Sequence, residues 1–359
     1  MKDKQATSQD VARAAGVSQS TVSMILNGKK LPSFTDETIR KVLDAANSLG
    51  YKRIRSKNSV SEQPDTIIIF CPVISNPYYA SVVQSIEQSA YSKGFRTMVC
   101  TTYRSTEMEL RHLRDIDMEH TAGIIFTYIP LHKKTVEDIN YQIPVVVIGD
   151  RDESISVDTV EVNSYRSGAA VAEHLIGLGH RNIALVSTSL DYQNIIRVKR
   201  MEGIRDTLAK LDGKSNFYIK SRNITSITDI SDLGIEHRVG FELTQECLVE
   251  TPAVTAIIGI NDMVAYGIID ALRSHNHQIP AQYSVCGFDN IFPSQMSGVS
   301  LSSIENFVQE KGRSAFDILR QRIASRGGQP GTECSITRVE YQPRLIVRSS
   351  TGAARDSNK

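Results

Sequence analysis

Between Thr66 and Asp289 the chain alternates short apolar runs with longer segments of helical period, and this leaves few folds open. TIIIFCPV, FRTMVCTTY, AGIIFTY and IPVVVIGD read as strands, with SVVQSIEQSAYSKG, EMELRHLRDIDME and HKKTVEDINYQ as the helices between them. A second series follows: SGAAVAEHLIGLG, NIALVST, VKRMEGIRDTLAKL, FYIKS, GFELTQECLVE, TAIIGI, MVAYGIIDALRSH and YSVCGFD. Near-continuous apolar strands are what a sheet covered on both faces requires. Strands alternating with helices of roughly 10–15 residues specify parallel sheets wound by right-handed crossovers. The number of strands predicts two sheets rather than one.

The first fifty residues follow a different rule. Thr7 followed by Asp10 makes a capping-box-like start to the helix DVARAA, with Asp in place of the usual Glu or Gln. Gly16 ends that helix, Ser18 caps QSTVSMILN, and Thr35 caps DETIRKVLDAANSLG, which Gly50 ends. Phe34 and Ile39 are spaced for a hydrophobic staple. Val11, Ala15, Val22, Ile25, Ile39 and Val42 fall where three helices can share a core. Two short helices joined by a tight turn, then a third, form a helix-turn-helix candidate. A plain helical hairpin around a small core has the same pattern. The second helix opens with Ser18, Gln19, Ser20 and Thr21, short hydrogen-bonding side chains that allow close approach to a phosphate backbone.

Charge separates the two regions. The formal net charge is +1, yet residues 1–60 carry +6 and the remainder −5. A basic head on a mildly acidic body points to a polyanionic partner for the head. The five cysteines are scattered and never in CxxC spacing, which suits a reducing compartment and argues against a zinc site. No apolar run reaches membrane-spanning length, and MKDKQATSQDV contains no signal-peptide core, so a cytoplasmic protein is expected. G-x-S-x-G, the P-loop, a strand-borne G-x-G-x-x-G and HExxH are all absent, so neither an enzyme nor a cofactor is expected. An extracytoplasmic binding protein would leave the head unexplained.

The run DVARAAGVSQSTVSMILNG followed by TDETIRKVLDAANSLGY closely resembles the head of the lactose/galactose repressor (LacI/GalR) family. The body carries further family-like segments: SNPYY, GIIF, IPVVVIGDR, HLIGLGHRNIALV, RMEGIRDTL, TAIIGINDMVAYGIIDAL, YSVCGFDN and PRLIVRSS. The resemblance implies a small all-α helix-turn-helix head plus an α/β body of two doubly wound parallel-sheet subdomains, periplasmic-binding-protein-like. It implies a head over 1–52, a hinge over 53–64, one subdomain over 65–161 and 305–332, and the other over 162–304 and 333–350. The chain then crosses between subdomains near 161, 304 and 332, and 351–359 is expected to be a disordered tail.

The implied function is a sequence-specific repressor that binds near-palindromic operator DNA as a homodimer, under control of a small effector in the inter-subdomain cleft. A sugar is the expected effector, with a protein corepressor as the alternative. Base contacts map to Gln19, Ser20 and Met24, and phosphate contacts to Thr7, Ser18, Thr21 and Asn27. Met24 departs from the Arg often found in the family, which removes a guanine-type reader there. In the hinge, Arg55 and Lys57 add charge and Val60 stands where the family places a minor-groove Leu wedge. The effector positions map to Tyr78, Tyr79, Thr127, Arg200, Asn261 and Asp289, while Ile235 occupies a place where the family often has an aromatic ring. Each also has a plain structural role open to it, such as a turn cap for Asp289 or core packing for the tyrosines.

Overall fold

A computed structural model describes residues 6–26, 34–49, 64–210, 214–224, 232–251, 253–326 and 335–355. The chain divides into two units, Met1–Glu62 and Gln63–Lys359. Asn27, Arg55, Lys57 and Val60 lie outside the described residues.

The first unit is a three-helix head: α1 (Ser8–Ala15), α2 (Gln19–Leu26) and α3 (Asp36–Ser48). The capping box forms, with the Thr7 side chain accepting from Asp10 N and Asp10 Oδ2 accepting from Thr7 N at 2.9 Å. Gly16 ends α1 in the left-handed region at φ 66°, where a side chain would be strained. Ser18 Oγ accepts from Thr21 N at 3.1 Å and so caps α2. Thr35 Oγ1 does the same for Thr38 N at the start of α3. Val11, Ala12, Val22, Ile25, Val42, Ala45 and Ala46 are buried together, with Phe34 and Ile39 packed on them.

The second unit holds two six-stranded sheets. Sheet A comprises β1 (Thr66–Cys71), β2 (Arg96–Thr101), β3 (Thr121–Phe126), β4 (Val145–Ile148), β5 (Asp158–Val162) and β11 (Arg338–Tyr341), ordered 11-5-4-3-1-2 and wholly parallel. Its helices are α4 (Pro77–Tyr91), α5 (Thr106–Arg114), α6 (Lys133–Asn140) and α11 (Val308–Arg326). Successive strand residues serve opposite faces: Ile67 and Ile69 pack with Val82, Ile86, Phe316 and Leu319, while Ile68 and Phe70 pack with Leu113, Val136 and Ile139. Burying each such side chain stabilises the fold by about 1.5–3 kcal/mol.

Sheet B comprises β6 (Asn182–Thr188), β7 (Asn216–Arg222), β8 (Ala256–Gly259), β9 (Ser284–Asp289), β10 (Ser302–Glu305) and β12 (Arg344–Ile346), ordered 12-10-9-8-6-7. Only the β10–β12 pairing is antiparallel among the pairs in this sheet. Its helices are α7 (Ser164–Gly177), α8 (Ile195–Ala209), α9 (Ile235–Glu250) and α10 (Asp262–Ser274). They pack in pairs at backbone contact. A Cβ on Gly168 would lie 2.0 Å from Arg200 O, and one on Gly203 2.0 Å from Tyr165 O. Gly240 and Gly267 hold α9 against α10 in the same way, at 2.2 Å from Val264 O and 2.0 Å from His237 O.

All eight expected strands and ten expected helices are present, but β5, β10, β11, β12 and α11 are additions. The chain passes between sheets after β5, after β10, and between β11 and β12. The third passage therefore lies near 342, not 332, because β11 pairs with β5 of sheet A. Nor is the stretch from 351 a loose tail as far as it is described. Gly352 N donates to Ser284 Oγ at 3.0 Å, Ala354 N to Leu178 O at 2.8 Å, and His180 Nε2 lies 3.1 Å from Gly352 O.

A Gly→Ala change inside a helix normally favours the helix by up to about 1 kcal/mol. At Gly203 the Tyr165 carbonyl forbids the added methyl, so Gly203→Ala is expected to destabilise the body by about 1–3 kcal/mol in denaturant unfolding. A neutral or stabilising result would show that α7 and α8 separate freely.

Candidate functional site

The carboxyl ends of parallel strands expose residues to whatever lies beyond the sheet. Pro72 after β1, Tyr103 after β2, Thr127 after β3 and Asp150 after β4 line one side of a cleft. Thr188 at the end of β6, Asn261 after β8 and Asp289 at the end of β9 line the other. The cleft contains a small inner chamber of about 70 Å³ and a larger outer one of about 410 Å³.

All six expected effector residues come together around the inner chamber. Arg200 on α8 is buried under the strand ends, donating to Ile260 O at 2.7 Å and Asp289 Oδ1 at 3.4 Å, with its guanidinium carbon 4.7 Å from the Phe288 ring centre. Arg200 Nε has no hydrogen-bond partner. Asp289 sits at φ 127°, an unusual backbone conformation for a residue with a side chain, and its Oδ1 also accepts from Asn306 Nδ2 at 3.0 Å. Asn261 caps α10 through Val264 N and donates to Glu236 Oε1 at 2.9 Å. The Thr127 hydroxyl donates to Phe70 O at 3.1 Å, tying two strand ends together. Tyr78 and Tyr79 meet edge to face at 5.0 Å.

Lys311, on the unexpected helix α11, completes the chamber. It is 3% exposed, and its Nζ donates to Tyr78 Oη and to Asn306 Oδ1, both at 2.8 Å. Tyr78 is thus a fixed wall of the chamber. Burial pushes the Asp289 carboxyl up to about 7, with Arg200 pulling the other way and Asp262 adding to the rise. Burial likewise draws Lys311 down to about 7, against the pull of Asp289.

Of the six expected residues only Tyr79 also reaches the outer chamber. The rest of that chamber was not foreseen. Glu236, in the first turn of α9, accepts from Asn76 Nδ2 at 2.7 Å, Arg197 at 3.0 Å and Asn261. Its bond to Asn76, the cap of α4, joins the two sides of the cleft. Arg104 and Asn194 also line the chamber, as does Ile235. Arg197 lies three residues before Arg200 on the same helix, a spacing that marks a shared face. Nothing in the local pattern around Arg104 or Lys311 singles them out.

In the head, Gln19 and Ser20 are exposed and Met24 is half-buried. Gln19 Nε2 donates to Ser8 Oγ at 2.8 Å. Ser18 Oγ lies 2.7 Å from Ser20 Oγ and 2.9 Å from Thr21 Oγ1. The Ser18 and Thr7 hydroxyls already serve as helix caps, and those of Ser20 and Thr21 bond to Ser18.

Residues 7–53 match the family model for bacterial regulatory proteins of the lacI family, and residues 65–344 match that for periplasmic binding proteins and the sugar binding domain of the LacI family. The chain is 29% identical over 353 residues to the HTH-type transcriptional regulator DegA of Bacillus subtilis, covering 96% of this chain and 98% of DegA. It is 26% identical over 351 residues to the HTH-type transcriptional repressor PurR of Mannheimia succiniciproducens, with the same coverage. A LacI family transcriptional regulator from Silicibacter pomeroyi superposes with a TM-score of 0.70 at 26% identity, covering 97% of this chain and 99% of that one. The CelR–cellobiose complex shares the fold, with a TM-score of 0.65 at 22% identity over 96% of this chain and 99% of that one.

The two shifted groups set a pH dependence. Asp289 titrates at about 7 in the fold against an ordinary 3.8, so its protonated form stabilises the folded state below about pH 4 and that contribution is lost as pH rises through 7. Lys311 falls to about 7 from 10.5, so the unfolded chain holds more protons between those values and stability climbs with pH there. Thermal melts should show Asp289→Asn flattening the decline between pH 4 and 7, and Lys311→Met flattening the rise above 7. Unchanged slopes in both variants would mean that neither group titrates near neutrality.

Proposed function

The chain belongs to the LacI family of bacterial regulatory proteins, and on that premise we propose that it is a repressor binding a near-palindromic operator as a homodimer, controlled by a small effector in the cleft. That it is a DNA-binding transcriptional regulator follows from the family itself; its relatives are regulators, not enzymes. The observation that carries the finer reading is the 410 Å³ cavity at the carboxyl ends of the strands. Its size is that of a small-ligand site. Its density of hydrogen-bonding side chains supports a sugar-like effector, and a concave site of this size suits a small molecule better than a protein corepressor.

Gln19 is the reader best suited to adenine, Ser20 is permissive, and Met24 offers apolar contact to a thymine methyl. Thr7, Ser18, Thr21 and Asn27 are the phosphate-positioning groups, with Arg55, Lys57 and Val60 acting from the hinge. A homodimer is supported by β2, an edge strand with Met98 and Val99 exposed at 48% and 41%, the kind of surface a second copy covers. Two heads on a two-fold protein match a two-fold operator. No helix among the described residues is long and apolar enough to cross a membrane, and action on DNA puts the protein in the cytoplasm.

Footprinting upstream of the coding operon tests this reading. Binding should be sequence-specific and weaken steeply as salt rises, through counterion release; uniform binding to unrelated DNA would overturn it. Gln19→Ala should relax base preference at one position of each half-site. Arg200→Ala should still footprint but no longer respond to effector, whereas a retained response would remove the inner chamber from the effector site.

A further inference from the structure

The outer chamber holds a cation that the proposed function leaves unused. Tyr103 and Arg104, just after β2, are successive non-glycine residues in the left-handed region, at φ 49° and 54°. Such backbone is held against its own preference by its surroundings. Here Tyr103 N donates to Pro72 O and Ser105 N to Thr102 O, both at 2.8 Å. Both side chains line the chamber. The Arg104 guanidinium donates to Tyr79 Oη at 2.7 Å and, across the cleft, to Gln193 O at 3.0 Å. These partners are neutral, and Arg104 forms no ion pair among the described residues.

Arg104 is the cation of this lining that has no acidic partner among the described residues. Arg197 lines the same chamber, and burial lowers its pKa, with Glu236 opposing and Arg104 adding to the fall. Its charge is already paired with Glu236. Helix α5 begins beside Arg104, with Ser105 as its cap and Ser105 and Thr106 on the chamber wall. The amino-terminal turn of a helix presents N–H groups without helical partners to an anion. Three acids among the described residues share this lining and each is occupied: Asp191 accepts from Gln193 N at 3.0 Å and Asn194 Nδ2 at 2.8 Å, Asp232 accepts from Gly234 N and pairs with Arg238, and Glu236 is held by Arg197, Asn76 and Asn261. The first turn of α5 carries Glu107, which is exposed, and Glu109, which is buried and accepts from Leu131 N and His132 N. Two buried polar atoms on this lining have no partner: Thr188 Oγ1 and Asn194 Oδ1. Unsatisfied buried groups of this kind are costly unless something meets them.

We propose that the effector carries an oxyanion, a carboxylate or phosphate on a sugar-sized frame, received by Arg104 and the amino-terminal turn of α5. Thr188 and Asn194 take hydroxyls of the same frame. This rests on the cleft being the effector site.

The test is calorimetry and thermal-shift measurement on the full chain, with wild type, Arg104→Gln and Arg104→Lys. The ligand arms are neutral sugars (glucose, galactose, ribose), sugar carboxylates (gluconate, galacturonate), sugar phosphates (glucose 6-phosphate, ribose 5-phosphate) and inorganic phosphate. The expected result is binding in the carboxylate or the phosphate arm, at least tenfold weaker binding of the neutral parent, and a tenfold or greater loss in Arg104→Gln. Arg104→Lys should fall between the two, and affinity should decline with added salt. A neutral sugar that binds wild type and Arg104→Gln equally overturns the oxyanion while leaving the cleft as the effector site. Inorganic phosphate matching the sugar phosphate at equal ionic strength overturns it as a general ion effect. No response in any arm overturns both.

Discussion

The body depends on a buried polar chain that runs from one sheet to the other. Arg200 reaches Asp289, Asp289 reaches Asn306, Asn306 reaches Lys311, and Lys311 reaches Tyr78. The first two belong to the sheet B side, Asn306 lies in the second passage between sheets, and the last two lie on helices of sheet A. Charges this deep persist only when each has partners, because an uncompensated buried ion is far more costly than a paired one. Phe288 beneath Arg200 and the Ile260 carbonyl supply what Asp289 alone does not. The strand ends, the passage and two helices are therefore held in one arrangement by a requirement that none can satisfy separately.

Much of the fold was legible because burial on both sheet faces leaves a run of apolar residues that period alone reveals. TIIIFC and TAGIIF are of this kind. What was hidden has a physical cause. β5 reads DTVEV, with Asp158 and Glu161 inside a fully buried strand. The charges are tolerated because Arg322 clasps Asp158 with bonds at 2.7 and 2.9 Å and Arg151 N donates to Glu161. β11 and β12 are four and three residues long, too short to show a period. α11 carries Lys311 and Gly312 on its packed side, which breaks the apolar stripe: Gly312 has to be small because Ser85 stands against it.

The site was legible to the same degree and for related reasons. Residues at the ends of recognisable strands, such as Asn261 and Asp289, could be placed. Lys311 and Glu236 could not, because each arrives from a helix whose packed face is set only in three dimensions. The outer chamber also depends on contacts between distant segments, such as Asn76 with Glu236 and Arg104 with Gln193. Few direct polar bonds span the cleft. Lys199 adds two, to Arg151 O at 3.0 Å and to Asp150 at 3.6 Å. A ligand that competed for these groups would shift any equilibrium between arrangements of the two sheets by its difference in affinity for them, and by no more than that.

The glycine contact between α7 and α8 bears on how such a change travels. Side chains meeting side chains can take up a few tenths of an ångström by changing rotamers. At Gly168 the backbone of α7 rests directly on the carbonyl of Arg200, with nothing soft between them. α7 starts at Ser164, two residues beyond the end of β5, where the chain first leaves sheet A. A displacement of the Arg200 backbone thus has no slack to lose before it reaches that passage. The two helices therefore form one stiff unit, and the joint at 163 is where any shift of α8 would be passed to the first passage between the sheets.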